Sequence, residues 1–383
     1  MSITTNDLQD LLEQKESPCV SLYMPTHPAG PEIRQDPIRL KNLLKKTEQQ
    51  LTDQGIRNTD ARTWLAPLSK LLEDEQFWRH QDQGLAMYVA KDWYRVFHLP
   101  LSLPELTMVE SRFYLKPILP VFMYGGTFYL LALSQNHIRF FQGSQDGLQE
   151  LCIPNIPLSM EEAKQTEGGE QSLQWHTKAP IAGDQRAAMF HGQGGGDDEA
   201  KSRITKFFQQ VAKGLHEFLH DAQARLYLTG VEYLIPIYKA ANTYPHIKEE
   251  GVTGNADEKN LHELHRQVLP VVKADADHGI EEAKIKCEEF LGTTKASDDL
   301  KTVVLAAHEG KIDTLFVARG IQQWGRIDVM QNRVETQPRK SAESLEILDF
   351  AVVQTLLKKG TVYALPQEKM PGRTSLAAIF RYE

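Results

Sequence analysis

The chain has 383 residues, is 41% hydrophobic and 25% charged, and carries a formal net charge of −8. This length and balance exclude a disordered or collagen-like chain and provide for two or three domains with real apolar cores. The negative charge excludes a general nucleic-acid coat, though not binding through one local basic patch.

The three cysteines, Cys19, Cys152 and Cys287, are far apart and form no CxxC pair, so neither a disulfide framework nor a zinc ribbon is expected. A reducing, cytoplasmic setting fits that usage. The opening MSITTNDLQDLLEQKE is polar and amphipathic without an apolar h-region, so no signal peptide is expected. DLQDLLEQ reads as a helix capped by Asn6 or Asp7. SPCVSLYMPTH alternates like a strand and stops at Pro25. After a Gly/Pro-rich loop, Ile38, Leu40, Leu43, Leu44 and Leu51 predict one apolar face of a long helix. GLAMYVAKDWYRVFHLP predicts a hairpin turning at Lys91-Asp92.

The longest apolar run, 117–133, is interrupted by Tyr124-Gly125-Gly126-Thr127 and reads as two strands around a turn, too broken to span a membrane. Regular turn signals then predict a β-meander down to CIP. A polar connection over 157–190 follows. Next, 197–219 places Ile204, Phe207, Phe208, Val211, Leu215, Phe218 and Leu219 on one helical face. ARLYLTGVEYLIPIYKAAN supplies a strand and a helix start, and a polar insert separates it from a mostly helical stretch beginning near Glu263. LKTVVLAAHEGKIDTLFVARG and LEILDFAVVQTLLKKGTVYALP each read as helix, Gly-containing turn and strand, with Gly310 and Gly360 in left-handed caps. LAAIFRY closes as a strand. The fold class expected is α/β in three domains: an N-terminal α/β domain over 1–112, a middle β-meander plus helix domain over 113–262, and a C-terminal α/β sandwich over 263–383.

The least ordinary stretch is HGQGGGDDEAK, 191–201. A phosphate cradle needs bare N–H groups at a helix start, but Asp197, Asp198 and Glu199 occupy that first turn and repel an anion. A metal site has His191 and these carboxylates, with His262 and His265 elsewhere. However, HELHR spaces its histidines by three rather than four, and the Asp275-Ala-Asp277-His278-Gly279 run lacks the closing Glu of a calcium loop. No GxSxG is present. Two readings stay open. One is a finger that carries Gln193 into another macromolecule's active site, where an amide places water or stabilises an oxyanion without titrating. The other is a plain linker ahead of a helix.

Four phrases, in order, resemble the bacterial branch of the archaeo-eukaryotic class-1 peptide-chain release factor family, relatives of Pelota. They are SPCVSLYMPTHPAGPEIRQDPIRLKNLL, RFYLKPILPVFMYGGTFYLLALSQNHIRFFQG, LTGVEYLIPIYKAANTYPHIKEEGVTGNAD and VVLAAHEGKIDTLFVARGIQQWG. The resemblance implies a middle domain with a Gly-Gly-Gln-type loop and a C-terminal domain similar to L7Ae/L30e RNA-binding proteins. It also implies a ribosome-associated protein acting in rescue, stress or hibernation, whose loop approaches the peptidyl-transferase region. In release factors the Gln follows two glycines; here Gln193 lies between Gly192 and Gly194, with Gly195 and Gly196 after it. Gln193 and His191 are therefore the catalytic candidates of a hydrolytic finger, or members of a loop that only occludes the site. No NIKS-like tetrapeptide occurs in the first segment, so codon-specific termination is not expected.

The partners implied are the ribosome or ribosomal RNA, with peptidyl-tRNA as substrate in the active variant. No cofactor, resident metal or membrane is expected. Lys301, Lys311, Arg319 and Arg326 are candidate RNA contacts. The alternatives are a non-ribosomal RNA-binding or stress-interaction protein and a metal-dependent hydrolase.

Overall fold

A computed structural model describes residues 3–14, 17–123, 128–145, 147–153, 156–164, 195–219, 225–257, 259–341 and 344–382. The chain forms two compact units, Met1–Gly126 with Asp275–Glu383, and Thr127–Ala274. It is α/β throughout, with several separate sheets.

The first unit opens with helix Thr5–Glu13. Its cap is Thr4 rather than Asn6 or Asp7: the Asp7 N–H donates to Thr4 Oγ1 at 3.2 Å, and the Thr4 N–H donates to Asp7 Oδ2 at 2.8 Å. This reciprocal pair is a capping box, which places Asp7 inside the first turn. Strands β1 (Cys19–Pro25), β2 (Gly84–Ala90), β3 (Trp93–Leu99) and β4 (Leu106–Glu110) form an antiparallel sheet in the order β3-β2-β1-β4. The β2–β3 hairpin turns at Lys91-Asp92 as expected. Val20, Leu22 and Met24 of β1 pack on Leu40, Leu43 and Leu51 of helix Asp36–Asp53, while Tyr23 faces the other way onto Phe113, Tyr114 and Ile118. Ile38, expected on the helix's apolar face, is 60% exposed, because the buried stripe begins at Leu40.

The run 117–133 is not two strands. Its first part is a 3-10 turn, Lys116–Ile118, and a short helix, Leu119–Met123. Proline fits the first turn of a helix, where its missing N–H costs nothing, and Pro117 and Pro120 stand near the starts of these two segments.

The second unit holds β5 (Phe128–Leu133), β6 (Arg139–Gly143), β7 (Leu148–Leu151), β8 (Leu226–Gly230) and β9 (Val252–Thr253) in the order β7-β6-β5-β8-β9. The meander β5–β6–β7 is antiparallel, whereas β8 joins β5 in parallel and β9 joins β8 in parallel. One face is covered by helices Gly195–Phe218 and Leu234–Ala241, through Phe207, Phe208, Val211, Leu215, Leu234 and Tyr238. The other face takes Leu264, Val268 and Val272 of helix Leu261–Phe290. Phe218 is partly outside the expected stripe, 46% exposed, with its ring edge-on to Phe140 at 5.9 Å.

The rest of the first unit holds β10 (Ala296–Ser297), β11 (Ile312–Ala318), β15 (Thr361–Leu365) and β16 (Leu376–Phe380) in the order β10-β16-β11-β15. A small sheet of β12 (Trp324–Asp328), β13 (Arg333–Gln337) and β14 (Leu345–Glu346) is ordered β13-β12-β14. Helices Leu300–Glu309 and Ile347–Leu357 pack with one side of β11, and Ile280 and Cys287 pack with the other, so this segment is the α/β sandwich expected. Gly310 has the left-handed φ of 79° expected of a cap. At the second cap the left-handed residue is Lys359, φ 60°, and not Gly360. Glycine is still required there, because a Cβ on Gly360 would come within 2.5 Å of Thr355 Cγ2.

Candidate functional site

The next strand after helix Gly195–Phe218 is β8, whose partner β5 is parallel to it. Because the helix packs back along β8, its N-terminal turns lie at the carboxyl ends of β5 and β8. In parallel α/β sheets that end is where ligand crevices form. A groove of about 650 Å³ opens there, lined by Gln135 just after β5, Tyr233 just after β8, and Lys201, Ile204 and Thr205 of the helix.

Gln135 Nε2 donates to the Tyr233 hydroxyl at 2.7 Å and holds the ring, which is 51% exposed. On the other face, Ser134 Oγ donates to Asp257 Oδ2 at 2.7 Å and accepts the Asn136 N–H at 3.2 Å, tying the loop after β5 to the loop after β9. Glycine permits this closeness: a Cβ on Gly230 would stand 2.7 Å from the Leu133 carbonyl oxygen, and Gly254, φ 139°, donates to the Gly230 carbonyl at 2.9 Å. An adjoining depression shares Gln135 and adds Asn136, Ser159 and Lys164. The described rim therefore offers amides, hydroxyls, ammonium groups, one carboxylate (Glu161) and one fixed aromatic face beside apolar side chains such as Ile204 and Ile237. Such a set suits stacking and hydrogen bonding to a base and its phosphate more than acid–base work.

His191, Gly192, Gln193 and Gly194 lie outside the described residues. Gly195 and Gly196 open the helix whose following turns line the groove. The four candidate RNA contacts do not form one patch. Lys301 is in the first turn of its helix, and Arg319 directly follows β11 at the same end of the helix–strand pair. Lys311 precedes β11, roughly 26 Å from Arg319 at the usual rise per strand residue, and its Nζ is 2.7 Å from Glu309 Oε2. Arg326 stands opposite Glu335 in the β12–β13 ladder.

The histidine and aspartate runs have structural explanations. His265 Nε2 is 2.9 Å from the Ser144 carbonyl oxygen and nearly buried, while His262 is exposed. Asp275 to Gly279 are helical and cannot wrap a calcium ion. Gln135 and Tyr233 of the groove, and the Ser134–Asp257 pair that ties the neighbouring loops, were not singled out from sequence. A signal for them existed in the repeated Thr-Gly, Thr229-Gly230 and Thr253-Gly254, at the ends of β8 and β9.

Residues 128–274 match the family model described as bacterial archaeo-eukaryotic release factor family 7. Through this segment the chain is similar to that family. The match begins one residue inside the second compact unit and ends with it, so the family segment is a structural unit as well. It contains the Gly-rich stretch, the helix after it and every residue of the groove. No curated protein matches the chain in sequence. Among solved structures, the archaeal translation termination factor aRF1 is 15% identical, with 100% of this chain and 99% of that chain covered and a TM-score of 0.24. Archaeoglobus fulgidus Pelota is 13% identical over 78% of this chain and 80% of that chain, with a TM-score of 0.30. A chain of ribosome-bound archaeal Pelota and ABCE1 is 13% identical over 78% of each, with a TM-score of 0.40. Among the described residues no helix is long and apolar enough to cross a membrane.

Proposed function

We propose that this protein is a ribosome-associated factor of release-factor type that acts in rescue, stress or hibernation. In this reading 1–112, 113–262 and 263–383 serve as three domains, and the middle one is presented to the peptidyl-transferase region. The observation that carries the proposal is the family match over the unit in which a Gly-rich stretch leads directly into a groove-lining helix. The groove is suited to the unpaired 3′ end of a tRNA, a base of which would stack on Tyr233 with a phosphate near Lys201. The loop occupies the site rather than hydrolysing an ester, because Gln193 does not follow a Gly-Gly pair and three carboxylates begin the helix.

Tagged full-length protein is expected in ribosomal fractions of sucrose gradients from starved cells; its absence from those fractions under every growth condition overturns the proposal. Replacing Tyr233 by Ala is expected to weaken cosedimentation about tenfold, the usual value of one base–aromatic stack. On ribosomes carrying labelled peptidyl-tRNA, wild type and Gln193→Ala are expected to release equally little peptide, while both block puromycin reaction. Release by wild type that Gln193→Ala abolishes would make the loop a hydrolytic finger instead.

A further inference from the structure

The first unit contains an open cleft of about 800 Å³ that the reading above does not use. Its walls come from three places: the last turn of helix Asp36–Asp53 with Gln50, Asp53 and Gln54, the end of β4 with Val109 and Glu110, and the segment before β14 with Lys340. The floor is rich in acceptors. Gln50 Oε1 and Glu110 Oε1 are buried and accept no hydrogen bond from the described residues. The Val109 carbonyl accepts Gln54 Nε2 at 2.9 Å and Lys340 Nζ at 3.4 Å. The C-terminal end of a helix adds partial negative charge, and the Asp53 carboxylate lies in the same turn.

The one cation lining the described cleft matches this floor poorly. Lys340 Nζ is 3.7 Å from Glu110 Oε1, too long for a hydrogen bond, and it sits over the Trp324 ring at 5.0 Å. Burial pushes the Glu110 carboxyl up and the Lys340 amine down from their ordinary values, only partly offset by their mutual attraction. Buried acceptors without donors are costly, and an ammonium, with three N–H groups and no acceptor, is the kind of donor they lack.

We propose that this cleft binds a small aliphatic diammonium ligand, one end of which donates to Gln50 Oε1 and Glu110 Oε1 while the other faces Asp53. Lys340 acts as an internal competitor that partly fills the place of the first ammonium. When the ligand enters, the Lys340 ammonium gives up its place beside Glu110 and keeps its contact with the Trp324 ring. Two carboxylates and no disposition of three acidic or histidine ligands favour an organic cation over a metal ion among the described residues.

Calorimetric titration of the full chain with 1,4-diaminobutane, at constant ionic strength, tests this. Saturable binding is expected in wild type. Lys340→Met is expected to lower Kd about tenfold, and Glu110→Gln and Gln50→Leu each to raise it about tenfold, the equivalent of one charge-assisted hydrogen bond. Circular dichroism checks the folding of each variant, and if Glu110→Gln fails to fold, Gln50→Leu carries the test. No saturable binding in either wild type or Lys340→Met, unchanged affinity in Gln50→Leu, or equal binding heat from Mg²⁺ would overturn the proposal.

Discussion

Asp349→Ala is expected to destabilise the first unit by roughly 3–5 kcal/mol, the range for breaking a buried charged network by removing one partner. Asp349 lies in the first turn of helix Ile347–Leu357 and is buried. Its Oδ1 accepts the N–H groups of Leu115 and Lys116, each at 2.9 Å, across more than two hundred positions of chain. Glu346 caps the same helix by accepting the Asp349 N–H at 2.6 Å, and it accepts the Gln323 N–H at 2.8 Å. Lys116 Nζ is 3.3 Å from Glu346 and also donates to the Ile321 carbonyl. Alanine would leave two buried N–H groups without an acceptor, at about 1–3 kcal/mol each. Guanidinium denaturation followed by tryptophan fluorescence measures the loss. A change below ~1 kcal/mol would mean that those N–H groups find other acceptors.

The same carboxyl sets a pH dependence. Burial, reinforced by the Glu346 charge, raises Asp349 to about 7, against the lowering by the Leu115 N–H, the Lys116 charge and the Lys116 N–H. The unfolded value is about 3.9, so between about 4 and 7 the folded chain binds the extra proton. This group's contribution to stability is therefore complete at or below about pH 4 and is lost as pH rises through 7. Asp349→Asn keeps one acceptor and cannot titrate. Its midpoint for denaturation is expected to lack that segment of the wild-type pH profile, and an unchanged profile would assign the dependence to another group.

Phe208→Ala is expected to cost the second unit ~3–5 kcal/mol, the usual range for emptying a buried aromatic site. The side chain is fully buried, with its ring edge-on to Tyr238 at 5.5 Å and tilted against Phe207 at 5.5 Å. It is the centre of the stripe that holds helix Gly195–Phe218 on the sheet. Losing it loosens the element that lines the groove and continues the Gly-rich stretch. Amide hydrogen exchange of peptides from 199–219 should rise sharply in Phe208→Ala and only modestly in Phe208→Leu, which keeps most of the volume. Equal protection in Phe208→Ala and wild type would remove this residue from the role of anchor.

Much of the architecture was legible one segment at a time. Alternation predicts β1, the β2–β3 hairpin needs only its polar turn, and the 3.6-residue stripe from Ile204 to Leu219 predicts its helix. These signals are local, because the backbone period, the cap and the turn are decided by residues a few positions apart. Where local signals compete, the local sequence alone does not decide the outcome. Thr4 outranked Asn6 and Asp7 as a cap once the reciprocal bond formed, and the apolar run at 117–133 became helical where its prolines could start a turn.

The candidate site divides in the same way. The unusual composition of 191–201 and its acidic continuation are visible in the chain alone, as is the resemblance that gives them meaning. The crevice itself is not. Gln135 meets Tyr233, and Ser134 meets Asp257, only because β5, β8 and β9 align in parallel with their carboxyl ends together. Likewise Asp349 looks like one more acidic residue in a helical stretch until burial brings two N–H groups from Leu115 and Lys116 to it. Outside the first cap and the start of the 117–133 run, the sequence by itself determined which segments become helix or strand and where the chain turns, since those choices follow from short-range sterics and periodic burial. The tertiary structure alone decided which polar groups become partners, because that depends on which distant surfaces lose water together and on the cost of leaving any donor or acceptor unpaired inside them.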